Sequence, residues 1–253
     1  MFKTIFAIIL VTAPSLVGAW FISTRNNNQL LRKRFVCTSF LFGALAIALV
    51  VAINVAMLCA GVSLPFRSQI RIVGVFEQAL IEEVSKFLIV LVVSAFSKKF
   101  KSVYDYIVLS TSVALGFAAL ENVVYLIGSK HILNTALTRI AICTIGHAAC
   151  GIMMGFFYGS FKCGLKNANK FKLCAIAILV LLVPSFAHTI HNYLVSARLM
   201  LFAIVYDTIF AVLCAELLRW AMMNKTMNAY IRIWKNQESR MMLNRIMYLT
   251  QVN

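Results

Sequence analysis

Seven apolar runs follow one another along the chain, at 2–23, 35–64, 72–96, 103–127, 132–161, 173–196 and 199–219. Each supplies the roughly 20 residues that an α-helix needs to cross a bilayer. The connections between them are too short to hold a soluble domain. A backbone in lipid has to satisfy its own hydrogen bonds, so only helices or a closed barrel can span it. Runs this long, without period-two alternation, are helices. The expected fold is all-α: a polytopic transmembrane bundle of about seven spans over 1–218, with 219–253 left as a tail.

Charge sets the expected orientation. The 253 residues carry a formal net charge of +16, and 62% of them are hydrophobic. Lys3 stands alone before the first run; Arg25, Arg32, Lys33 and Arg34 follow it. Arg67 and Arg71 come next, then Lys98, Lys99 and Lys101, then Lys130 alone. Lys162, Lys166, Lys170 and Lys172 fill the fifth connection, Arg198 stands in the sixth, and the tail from Arg219 holds six. Poor and rich connections alternate, which places the N-terminus outside and the C-terminus in the cytoplasm. Basic clusters between apolar runs face anionic lipid, so nucleic acid is not the expected partner.

The ends carry two further expectations. Lys3, an apolar stretch and Val17-Gly18-Ala19 have the outline of a signal peptide. Pro14 and the Trp20-Phe21 end favour a retained anchor. In the tail, Met223, Met227, Ile231 and Trp234, then Met242, Ile246 and Leu249, recur at helical spacing among basic residues. That reads as a basic amphipathic helix on the inner membrane surface. The seven cysteines lie in or beside apolar runs without a C-x-x-C, as small buried apolar residues rather than a disulfide framework.

Polar residues inside the runs are few and concentrated. The third carries Glu82, Glu83 and Lys86, the fourth Glu121, the fifth His147, and the sixth His188, His191 and Asn192. A charge at mid-bilayer costs about 2.5–3.5 kcal/mol on insertion scales, so such groups face a protein or water-filled interior and have partners. Glu82 and Lys86 are i, i+4 neighbours, and Glu83 reaches Lys86 at i, i+3. At 1.5 Å per residue, Glu82 and Glu83 lie roughly 15 Å from the outer end, Glu121 roughly 10 Å and His188 roughly 12 Å. Asn192 comes out at roughly 6 Å and His147 at roughly 22 Å. Pro184, one turn before His188, can kink that helix and free a carbonyl. His147-Gly151-Gly155-Gly159 forms a small-residue ridge that draws another helix close. His191 is expected to be a packed histidine. Asp207 has no assigned role.

These residues resemble the PrsW family of intramembrane proteases, within a superfamily that includes CAAX prenyl-protein endopeptidases and bacteriocin-immunity-type membrane proteases. Glu82-Glu83-Val-Ser-Lys86 is similar to the family's Glu-Glu-x-x-Lys, and Phe117-Ala-Ala-Leu-Glu121-Asn122 to its Phe-x-x-x-Glu. His147-Ala-Ala-Cys-Gly151 resembles its histidine opening a Gly-rich span, and His188-Thr-Ile-His-Asn192 its last motif, where Asp is often found in place of Asn192. The likeness covers roughly 75–195 and makes 72–196 the expected catalytic four-helix core. It implies hydrolysis of a single-span membrane protein near the outer half of the bilayer, in the manner of regulated intramembrane proteolysis. The host would be a bacterial plasma membrane. Glu82, Glu83, Glu121 and His188 would be catalytic, with Lys86 and Asn192 in support.

Three acids against Lys86 leave an excess of negative charge in the interior. Either a divalent metal such as Zn²⁺ neutralises it, with His147, His188 and Glu121 as ligands, or a glutamate keeps its proton and the site works without metal. In the metal-free form a carboxylate of the Glu82–Glu83 pair activates water, and His188 with Asn192 stabilises the oxyanion. No His-Glu-x-x-His is present. Intramembrane Glu, Lys and His chains also relay ions, so a transporter is an alternative. A non-catalytic immunity or interaction protein that keeps the fold is another. Asp105 and Asp207 could suggest an aspartyl protease, but no Gly-x-Gly-Asp accompanies them.

Overall fold

The computed structural model describes residues 2–25, 33–61, 72–96, 100, 102–164 and 169–224. All regular secondary structure among them is helical. In chain order the elements are α1 (Phe2–Arg25), α2 (Lys33–Cys59), α3 (Ile72–Ala95), α4 (Val103–Ile127), α5 (Ile132–Thr138), a π segment (Arg139–Cys143), α6 (Thr144–Gly164), α7 (Lys170–Ser196) and α8 (Met200–Asn224).

Among the described residues, five helices are long and apolar enough to cross a membrane: α1, α2, α4, α7 and α8. The other two long ones, α3 and α6, are diluted by the residues of interest. Ile72–Ala95 carries Glu77, Glu82, Glu83 and Lys86, and Thr144–Gly164 carries His147 and the glycine ridge. Hydropathy alone penalises polar groups that a bundle can bury against its own partners.

The bundle is built around α4. Of its apolar stretch 83% is buried, against 22% for α1, α2 and α8, which turn broad faces outward. A helix buried on every side needs small or apolar residues all round, and α4 has Ser110, Thr111, Ser112, Ala114, Gly116, Ala118 and Ala119 in sequence. Its first turn is held by a capping box between Ser102 and Asp105, which accounts for that aspartate. The expected glycine ridge does face a neighbour: a Cβ at Gly155 would lie 2.5 Å from the Ile107 Cα. Ser110 Oγ donates to the Gly151 carbonyl across the same seam. α1 packs on α4 and α5 through Ala7, Val11, Leu126 and Ala136. α8 packs on α6 and α7 through Phe210, Cys214, Ala149, Cys150 and Ala187.

The run at 132–161 is not one continuous helix. Its first residues form the seven-residue α5, and the chain then widens into the π segment, where the Thr144 N–H donates to the Arg139 carbonyl. Counting 1.5 Å per residue from 132 therefore overstates how deep His147 lies, because the count assumes one straight α-helix. All seven cysteines are free, but only Cys143, Cys150 and Cys214 are buried; Cys37, Cys59, Cys163 and Cys174 are exposed. α8 continues past Arg219 to Asn224, and the expected amphipathic helix beyond it lies outside the described residues.

Candidate active site

Helical spacing puts Gln78, Glu82 and Lys86 one above another on α3, with Glu83 on the adjoining row. Glu82, Glu83 and Lys86 are all buried, Lys86 to 1% exposure. The Lys86 Nζ donates to Glu83 Oε1 at 2.7 Å and to His147 Nδ1 at 3.0 Å, and sits 4.3 Å over the Phe117 ring. Because that ring nitrogen accepts, the His147 proton is on Nε2, which faces Glu121 Oε2 at 2.9 Å. His188 on α7 approaches from the other side. Its Nδ1 is 2.9 Å from Glu83 Oε1, and its Nε2 is 3.6 Å from Glu82 Oε2. The two imidazoles meet edge to face, centroids 4.9 Å apart.

The structure thus brings together Glu82, Glu83, Lys86, Glu121, His147 and His188 from four helices, α3, α4, α6 and α7. Asn192, one turn beyond His188 on α7, makes no side-chain hydrogen bond to that cluster among the described residues. It is half-buried and lines an adjacent cavity of about 190 Å³ with Gln78, Tyr125, Arg139 and His191.

Arg139 was not among the expected site residues. It projects from the π segment and forms an ion pair with Glu121, bonds Asn122 Oδ1 through its Nε at 2.5 Å, and lies 4.0 Å from the Tyr125 ring centroid. Asn122 in turn donates to Thr144 Oγ1 at 3.1 Å. Single π turns are frequent at functional sites, where the extra residue re-aims a side chain. A sequence signal existed: of the 24 Lys and Arg residues, only Lys86 and Arg139 fall in the interior of the apolar runs rather than at or beyond their ends. With Arg139 included, three carboxylates face two fixed cations, so the formal excess is one negative charge rather than two.

Asp207 and His191 explain each other. His191 Nδ1 lies 2.9 Å from Asp207 Oδ2, joining α7 to α8 beside a small cavity that His147 and His188 also line. Asp105 stays at the α4 cap, so the two aspartates form no dyad.

Glu82, His147 and His188 form a group whose ligand atoms lie within 4.8 Å of one another. Two histidines and a carboxylate are a known catalytic zinc set. Glu82 Oε2 has no hydrogen-bond partner among the described residues, as a vacant donor should not. Each histidine is already braced by a carboxylate on one nitrogen, His188 by Glu83 and His147 by Glu121, as metal-binding imidazoles commonly are. The donor set therefore fits a divalent metal, with Lys86 giving up its contact to His147. It takes Glu82 where the expected set had Glu121, which is committed to Arg139 and His147.

A family model described as PrsW family intramembrane metalloprotease matches residues 32–218. The chain belongs to the PrsW family. It is 30% identical over 164 residues to Protease PrsW of Geobacillus kaustophilus, covering 65% of this chain and 68% of that one. To Protease PrsW of Oceanobacillus iheyensis it is 33% identical over 156 residues, covering 61% and 67%. To Protease PrsW of Halalkalibacterium halodurans it is 29% identical over 181 residues, covering 71% and 79%. No solved structure matches the chain. The matched region holds the whole PrsW-like cluster, from Glu82 to His188, together with Arg139 and Asp207.

Proposed function

We propose that this chain hydrolyses a peptide bond of a single-span membrane protein near the outer half of the bilayer. The bundle would span the membrane seven times, N-terminus outside, with α1 retained as a packed helix and α3 and α6 crossing through the polarity they bury. The observation that carries the reading is an interior cluster of two histidines and three carboxylates in which two carboxylate oxygens, Glu82 Oε2 and Glu83 Oε2, accept no hydrogen bond among the described residues.

In a bundle interior, a carboxylate oxygen without a donor is costly. Such oxygens are kept where chemistry uses them. Glu83 is pinned through Oε1 by Lys86 and His188, which orients Oε2. That free oxygen is the base that takes a proton from the attacking water. Glu82, His147 and His188 would hold a divalent metal, which supplies Lewis-acid polarisation of the scissile carbonyl and acidifies bound water. Asn192, one turn beyond His188, contributes an amide donor for the developing oxyanion from the adjoining cavity. Glu121 positions His147 and does not exchange protons, being occupied by Arg139.

The test is cleavage of a single-span reporter by purified chain in liposomes, comparing wild type with Glu82→Gln, Glu83→Gln and His188→Ala. Loss of cleavage in each variant, with insertion intact, is expected. Normal cleavage by all three overturns the reading, and ion flux without cleavage would favour transport.

A further inference from the structure

Each imidazole of the cluster turns one nitrogen to a bracing carboxylate, His147 Nε2 to Glu121 and His188 Nδ1 to Glu83. The other two nitrogens are treated unequally. His188 Nε2 stands 3.6 Å from Glu82 Oε2, whereas His147 Nδ1 accepts from Lys86 Nζ at 3.0 Å.

Lys86 therefore stands at the one nitrogen through which a braced His147 can join a metal. A neutral imidazole has a single acceptor nitrogen, and its lone pair takes an ammonium proton or a metal, never both. Zinc–imidazole bonds are about 2.0–2.1 Å long, so a metal on that lone pair would press against the ammonium. Lys86 has somewhere to withdraw. It is held independently by Glu83 Oε1 at 2.7 Å and by the Phe117 ring, whose centroid is 4.3 Å from Nζ. Leaving His147 costs it one of two hydrogen bonds.

Charge gives the arrangement a purpose. Glu82, Glu83 and Glu121 share the interior with Lys86 and Arg139. Buried carboxylates need cations close by. Lys86 sits on the same helix as two of the three, so α3 carries its own counter-charge.

We infer that Lys86 is a resident placeholder for the divalent metal: its ammonium occupies His147 Nδ1 and offsets the carboxylates until metal displaces it onto Glu83. The inference rests on the metal site of the peptidase reading. It adds that Lys86 opposes metal binding while keeping the metal-free cluster folded, which makes it a positioning residue that sets metal affinity. Removing its charge has two consequences of opposite sign. The metal-free chain loses stability, because three glutamates are left with one cation fewer. Metal binds more tightly, because the competitor and its repulsion go together.

The test uses the full chain, purified in detergent and stripped with chelator. It is titrated with Zn²⁺ against a chromophoric chelator, and melted with and without Zn²⁺. Wild type is compared with Lys86→Met, uncharged and of similar length, and with Lys86→Gln, which keeps a neutral donor. Lys86→Met should bind Zn²⁺ about ten- to a hundredfold more tightly than wild type, the size of one hydrogen bond to a charged group. Its Tm should fall without Zn²⁺ and rise with Zn²⁺ by more than that of wild type, with Lys86→Gln between the two. A Lys86→Met chain that folds only with Zn²⁺ is the extreme of the same result. One Zn²⁺ bound by wild type, with unchanged or weaker binding by both variants, overturns the placeholder and leaves the metal site standing. Failure of both variants to fold even with Zn²⁺ overturns it as well. No Zn²⁺ binding by wild type removes the zinc site and the placeholder together, and cleavage of the single-span reporter in parallel shows whether the peptidase reading survives without them.

Discussion

The two sides of the polar cluster are built differently. On the side of α4 and the π segment, Glu121 is bonded to Arg139 and His147, and Asn122 to Arg139 and Thr144. On the side of α3 and α7, Glu82 and Glu83 each keep one oxygen that accepts no hydrogen bond among the described residues. Both sides are buried and both are charged. The difference is saturation. A saturated network rigidifies and specifies a geometry, whereas an unsaturated one holds reactive capacity that folding has left unfilled. The braced side fixes where His147 stands; the open side is where water and a metal can be received.

This contrast is broken most severely on the open side. Glu83→Gln removes the proposed base while preserving shape, and cleavage should fall by at least ~10²–10⁴-fold. The check is single-turnover cleavage in liposomes, with helical content by circular dichroism unchanged. On the braced side the loss should appear first as stability. Arg139→Leu leaves the Glu121 carboxylate buried without its cation, a change expected to cost about 3–5 kcal/mol. The double variant Arg139→Leu/Glu121→Leu should recover most of that stability in thermal unfolding but little of the cleavage, because His147 then lacks its brace. Equal recovery of both would mean that the pair acts only in folding.

Smaller effects are expected away from the cluster. Gly155→Ala forces a methyl against the Ile107 backbone, 2.5 Å from its Cα, and should destabilise by about 1–3 kcal/mol through the α4–α6 seam. Thermal melts in detergent will show it, and KM should not move. Asp207→Asn keeps an acceptor for His191 on the far side of the small cavity. Its effect on kcat/KM should be within about tenfold, consistent with one altered hydrogen bond.

Much of this was legible in the sequence because membrane insertion makes interior charge conspicuous. Glu82, Glu83 and Lys86 stand out on one helix, and Glu121, His147 and His188 fall at helical spacings that face inward. The structure brings these six together. Arg139 was less visible, since it belongs to no connection and its inward aim depends on a π turn that hydropathy does not register. The partnership of His191 with Asp207 joins residues of successive spans, and periodicity within one helix gives no sign of it. Of the seven expected spans, five recur among the described residues as helices long and apolar enough to cross, and α3 and α6 are diluted by the polar residues and glycines they carry.

Metal content separates the open side from the braced one most directly. Purified wild-type chain should carry about one divalent metal per molecule, as a two-histidine, one-carboxylate site would hold. Glu82→Gln should lose it, while Glu121→Gln, in which His147 keeps a side-chain acceptor, should retain it. Retention by Glu82→Gln together with loss from Glu121→Gln would contradict the assignment of Glu82 as the carboxylate that receives the metal.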